Sequence, residues 1–164
     1  MMVIKDSMVL IHLAKISLLE ESCNYFGQVF IPSLIKEEVT RGDYPNAIII
    51  QKFIENGKIK VRRVHQTEFI SKANQFNIQR GEAEALALYW ELKADYLATD
   101  DDNVRKKRDL LQLNLIGTPV IILQLYKQKR ISLAQFENSI KKCREIGWFA
   151  NTIWDKIKLE VSKK

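Results

Sequence analysis

Cysteine is scarce in this chain: Cys23 and Cys143 are the only two in 164 residues, and neither has a C-x-x-C partner. A disulfide scaffold and a thiolate zinc site are excluded by that count, and the apolar helical patterns around both thiols mark them as buried and free. Histidine is equally rare. His12 and His65 stand outside any metal-ligand spacing and read as structural. No uncharged apolar run is long enough to span a bilayer. Lys5-Asp6 interrupts the first apolar stretch before a secretory h-region can form, so the expectation is a cytoplasmic protein with no membrane partner. Repeats, low-complexity tracts and long linkers are missing too. At 46% hydrophobic content the chain is long enough for one well-packed domain and too short for two comfortable ones.

Positive charge is what the chain has in excess. It carries 26 Lys+Arg against 20 Asp+Glu, a net charge of +6 and a pI near 9.3. That balance favours a polyanionic partner, nucleic acid or an acidic membrane surface. Within this basic chain the acids are clustered. The stretch 81–108, GEAEALALYWELKADYLATDDDNVRKKR, sets Glu82 and Glu84 in the first turn of an apolar helix. It then places Asp100, Asp101 and Asp102 directly after a short strand. Two carboxylates about 4 Å apart repel by roughly 4 kcal/mol at an effective dielectric of ~20, so such a cluster calls for a cation. A second acidic point lies at the start, where Val3-Ile4-Lys5 runs into Asp6-Ser7.

Periodicity and turn residues predict strands over 2–5, 28–31, 58–64, 95–98 and 113–116. Helices are predicted over 8–15, 17–26, 33–41, 46–55, 67–76, 81–92, 103–112, 120–129, 133–145 and 148–164. Strands alternating with helices imply an α/β protein with a central parallel sheet of about five strands between two helical layers. Residues 1–130 form its core, and 131–164 add C-terminal helices packed on the same domain. In such sheets ligands bind beyond the carboxyl ends of the strands. Asp6 follows the first strand, Glu38 lies in the helix after the second, and Asp100 to Asp102 follow the fourth. All belong to one edge.

Each acid also has a plain structural role open to it. Asp6 or Ser7 can cap the first helix, a contribution of about 1 kcal/mol. One cap needs one aspartate, however, and the triplet offers three. Glu82 and Glu84 differ in direction by about 200° on a helix of 3.6 residues per turn, so both cannot reach one ion. Glu84 shares a face with Leu88 and is assigned to the site, leaving Glu82 facing solvent or in an outer role. By chemistry alone Glu38, in Lys36-Glu37-Glu38-Val39, reads as a solvated helix face. Trp148, Phe149 and Trp154 read as core from their helical spacing.

Taken together, an aspartate closing the first strand, a glutamate after the second, GEAEALAL in a central helix and TDD after the fourth strand resemble the PIN-domain family. The likeness is closest to prokaryotic members related to toxin ribonucleases of toxin–antitoxin modules, and it runs over essentially the whole chain. It implies a metal-dependent ribonuclease with the acidic quartet Asp6, Glu38, Glu84 and Asp101. It further implies Mg²⁺ or Mn²⁺ on Asp6, Glu84, Asp100 and Asp101, with Asp102 an alternative register for the triplet. Ser7 and Thr99 support the site, and Arg80 and Arg105 are assigned to substrate phosphates. An antitoxin protein and a second copy of the chain, packed on the final helix, are the implied partners.

Other acid-bearing α/β families fit less well. A phosphoacceptor receiver domain needs an aspartate after the third strand, where the sequence has Val64-His65-Gln66, and a lysine after the fifth, where it has Gly117-Thr118. A haloacid-type phosphatase needs Asp-x-Asp after the first strand, and Asp6-Ser7-Met8 lacks it. A PIN-like domain that binds RNA or protein without catalysis, and a DNA nuclease, remain the alternatives to a ribonuclease.

Overall fold

A computed structural model of the chain describes residues 1–163. The first half runs β1 (Met2–Lys5), α1 (Ser7–Lys15), α2 (Leu19–Phe26), β2 (Gln28–Ile31), α3 (Ser33–Val39), α4 (Pro45–Glu55), β3 (Lys60–Val61) and α5 (Thr67–Gln75). The second half runs α6 (Arg80–Leu92), β4 (Tyr96–Ala98), α7 (Asp102–Lys106), β5 (Leu115–Ile116), α8 (Thr118–Lys127), α9 (Leu133–Ile146) and α10 (Asn151–Ser162). The five strands form one parallel sheet in the order β3-β2-β1-β4-β5, the centre of a three-layer α/β/α fold. β1 is central, as expected, with β2 on one side and β4 on the other.

β1 earns that position by composition. Val3 and Ile4 are fully buried, and a strand covered on both faces needs a continuous apolar run. Its pairing with β4 continues one residue past the strand, where the Asp6 amide donates to the Ala98 carbonyl at 3.0 Å. That bond sets the acid at the end of β1 beside the acids after β4. Phe136 and Cys143 of α9 and Trp154 and Ile157 of α10 join the same buried cluster as the strands, so the C-terminal helices share the core.

Four expectations change on contact with the structure. The third strand shrinks from 58–64 to Lys60–Val61, because it is an edge strand bonded only to β2 and both its residues are exposed. The helix after the aspartate triplet ends at Lys106 rather than 112. Only Val104 of α7 is buried and Leu110 is 69% exposed, so no apolar stripe holds a longer helix. The final helix begins at Asn151, since Gly147 and Ala150 are extended; its expected last residue, Lys164, lies outside the described residues. Trp148 is 80% exposed while Phe149 and Trp154 are buried, because the extended backbone sends neighbours to opposite sides.

Candidate active site

At the carboxyl end of β1, Asp6 is 2% exposed. It caps α1 by accepting the Val9 amide at 3.0 Å, and its other oxygen accepts the Thr99 hydroxyl. The Thr99 hydroxyl oxygen in turn accepts the Asp101 amide at 3.0 Å, so one side chain links the acids of two strand ends. Burial, the largest influence, pushes the Asp6 carboxyl up to about 8, and the charges of Asp100 and Glu82 push the same way. The hydrogen bonds from Thr99 and Val9 oppose them. An acid in this state is ionised cheaply only beside a cation.

The three adjacent aspartates have three different fates. Asp100 is clamped: it accepts the Thr118 amide at 2.8 Å and the Thr118 hydroxyl at 2.5 Å, and His12 Nδ1 lies 2.7 Å from its Oδ2. Its side chain is 1% exposed. Gly117 permits the approach, since a Cβ there would come 3.1 Å from Asp100 Oδ1. Asp101 caps α7 through the Val104 amide at 2.9 Å and faces a shallow depression of about 200 Å³ with Glu82, Arg80 and Asn103. Asp102 is exposed and pairs with Lys106 at 3.2 Å and Arg105 at 3.5 Å.

The two glutamates of α6 divide opposite to the expectation from Leu88. Glu84 Oε1 accepts the Leu34 amide at 3.1 Å, at the start of α3, where the cap residue Pro32 has no side-chain acceptor to offer. Glu82 shares the field of the other acids: burial raises its carboxyl first, followed by the charges of Asp101 and Glu38. Glu38 stands at the rim, accepting the Ser7 hydroxyl at 2.5 Å. Gly81 makes room for it, because a Cβ there would lie 2.6 Å from Glu38 Oε1. Next to it Arg80 has φ 51°, a left-handed backbone that costs a non-glycine residue roughly 1–2 kcal/mol.

The structure thus gathers Asp6, Glu38, Glu82, Asp100 and Asp101 with Ser7 and Thr99, sets Arg80 at the mouth and turns Glu84 toward α3. Sequence reading missed His12, whose partner lies 88 positions away, and Thr118. Phe149 packs edge-on to the His12 ring at 5.8 Å, so the loop before α10 braces the residue that holds Asp100.

The donor set suits a hard divalent cation: oxygen ligands only, with one carboxyl buried among like charges. Among the described residues no three such side chains form a ready cage. Mg²⁺ needs none, since it keeps several waters and binds through one or two carboxylates. No helix among the described residues is long and apolar enough to cross a membrane. The family model described as a PIN domain matches residues 2–161, through both the sheet and the C-terminal helices. No curated protein and no solved structure matches the chain.

Proposed function

The chain belongs to the PIN-domain family, and on that premise we propose that it is a metal-dependent ribonuclease that hydrolyses RNA phosphodiester bonds. The observation that carries this reading is the setting of Asp6: buried at the end of β1 and surrounded by further acids instead of a countercharge. A purely structural aspartate is expected to have its charge answered.

Asp6, Glu82 and Asp101 are the residues that would hold Mg²⁺ or Mn²⁺, with Glu38 at the rim. When bound, such an ion lowers the pKa of a water and offsets charge that develops on the phosphate. The protein's part is to position. Thr99 fixes the Asp6 carboxylate and the Asp101 backbone together. His12 and Thr118 immobilise Asp100 so that its charge bears on Asp6 without swinging into the site. Arg80, at the mouth of the depression, meets a substrate phosphate. The sequence offers no convincing side-chain nucleophile, and hydrolysis by water requires none.

The resemblance to toxin ribonucleases extends the proposal to the toxin of a toxin–antitoxin pair, with an antitoxin protein and a second copy as partners. Exposed Leu133, Trp148 and Leu159 supply apolar surface for such contacts.

Incubating mixed RNA with the protein and Mg²⁺, Mn²⁺ or chelator tests the reading, beside Asp6→Asn and Asp101→Asn. Metal-stimulated cleavage lost in both variants is the expected result. Cleavage that survives chelation and both substitutions would overturn it. RNA binding without cleavage would leave a binding module, and preferential cleavage of a matched DNA would leave a DNA nuclease.

A further inference from the structure

Beside the acid cluster lies a second and deeper cavity of about 330 Å³, walled by α7, α8 and α10. Thr99 and Asp100 form part of its lining, so it opens from the same strand ends as the acids. Its floor is apolar, with Leu115, Val120 and Leu123 from the core and Ile153 from α10. Four cations line it, Arg105, Arg108, Lys127 and Lys156, against two acids, Glu160 and the Asp100 that His12 and Thr118 already hold. Glu160 is already engaged by Lys127 at 2.9 Å and Lys163 at 3.2 Å. Arg105 reaches Asp102 only at 3.5 Å. Arg108 and Lys156 are exposed and make no ion pair among the described residues.

We propose that this cavity is a nucleotide subsite for single-stranded RNA, in which one base enters the apolar slot and the flanking phosphates lie on Arg108 and Lys156. The proposal rests on the ribonuclease reading and gives it a substrate shape. Binding pockets for small molecules run from about 300 to 1,000 Å³, so this one holds a single nucleotide unit and not a duplex or a helix. Apolar surface accepts any base by stacking and contact, which favours single strands without fixing sequence. Unpaired cations beside that surface match the phosphates that every nucleotide brings. Phe149 lines the cavity as well. The C-terminal helix is then part of substrate binding, since without α10 the slot loses one wall.

Fluorescence anisotropy with a short labelled RNA carrying 2′-O-methyl riboses, in chelator, tests the subsite apart from cleavage. The double variant Arg108→Ala, Lys156→Ala should bind about tenfold more weakly. Two lost phosphate contacts should also flatten the slope of log affinity against log salt by about 1.4. An abasic oligomer should bind the wild type more weakly than its base-bearing counterpart, and Ile153→Trp, which fills the slot, should erase that difference. Melting temperatures check that both variants fold. Unchanged affinity and salt slope in the double variant would overturn the subsite, as would equal binding of the abasic oligomer to the wild type. A glutamate-rich peptide competing as well as the RNA would also overturn it, in favour of a protein partner. Cleavage of unmodified RNA by the wild type is measured alongside. Cleavage with unaltered variant binding sinks only the subsite, while absence of both cleavage and RNA binding sinks the ribonuclease reading with it.

Discussion

Lys5 and Asp6 are consecutive residues at the end of one strand, and they bury charge in opposite surroundings. Lys5 is 0% exposed and Asp6 2%. Burial drives both toward neutrality, the amine down to about 8 and the carboxyl up to about 8. Around Lys5 the fold softens the penalty. Its Nζ donates to Ser22 Oγ at 2.6 Å and lies 5.4 Å from the centre of the Phe26 ring, and the nearby Cys23 partly restores its pKa. Around Asp6 the fold adds like charge from Asp100 and Glu82. A perturbed pKa by itself marks burial. A perturbed pKa among groups that aggravate it marks a place that waits for something else.

The sharpest test of that contrast is paired substitution. Asp6→Asn should lower metal-stimulated RNA cleavage by about a hundredfold or more, whereas Lys5→Met should leave the rate unchanged. Two equally crippled variants would erase the distinction. Metal should then stabilise selectively: Mg²⁺ at a hundred times its Kd adds about 2.7 kcal/mol to a folded state that alone binds it. In thermal melts the wild type and Lys5→Met should gain, and Asp6→Asn should gain much less. Equal shifts in all three would contradict an ion at Asp6.

The pH profile of the metal-free protein separates the two residues again. Asp6 has its folded pKa raised from 3.8 to about 8, so its contribution to stability is full below the unfolded value and is lost as pH rises through about 8. Lys5 has its folded pKa lowered from 10.5 to about 8, so the unfolded chain holds the extra proton between those values and stability recovers as pH rises from 8 toward 10.5. Their sum is a minimum near pH 8 in chelator. Asp6→Asn should remove the falling limb and Lys5→Met the rising one, read from denaturant midpoints across pH.

Smaller effects refine the acid side. Glu84→Gln should cost about 1 kcal/mol in urea unfolding through a weakened bond to the Leu34 amide, while Glu82→Gln should lower cleavage with little loss of stability. The reverse pattern would exchange their roles. Asp102→Asn should change stability by less than about 0.5 kcal/mol and leave cleavage intact, because its partners are exposed cations on its own helix.

What the sequence disclosed was whatever depends on neighbours in the chain. Val3-Ile4 and Val29-Phe30-Ile31 announce buried strands by unbroken apolarity, and Asp6 and Asp101 follow from where strands end. The division between Glu82 and Glu84 was hidden, because helix spacing fixes the angle between them but not the rotation of α6 against α3. Pro32 offers α3 no side-chain cap, and the Leu34 amide finds Glu84 across 50 positions. Ligand spacing says nothing of His12, because that criterion is blind to a histidine that holds an acid instead of a metal. Trp148 and Phe149 share a helical period with Trp154 in the sequence, but α10 starts only at Asn151, after both.

Asp6 is made well before most of the groups that define it. Its strand is bonded to β4, its carboxylate to Thr99, and the clamp on Asp100 needs both His12 and Thr118. With translation running at roughly 5–20 residues per second, a nascent chain carries Asp6 for several seconds before residue 118 is made. A fragment released from a stalled ribosome before that point holds β1 and no assembled acid site. For a protein proposed to cut RNA, messenger included, pairing β1 with a distant strand delays the hazard until residues as late as Thr118 have been made.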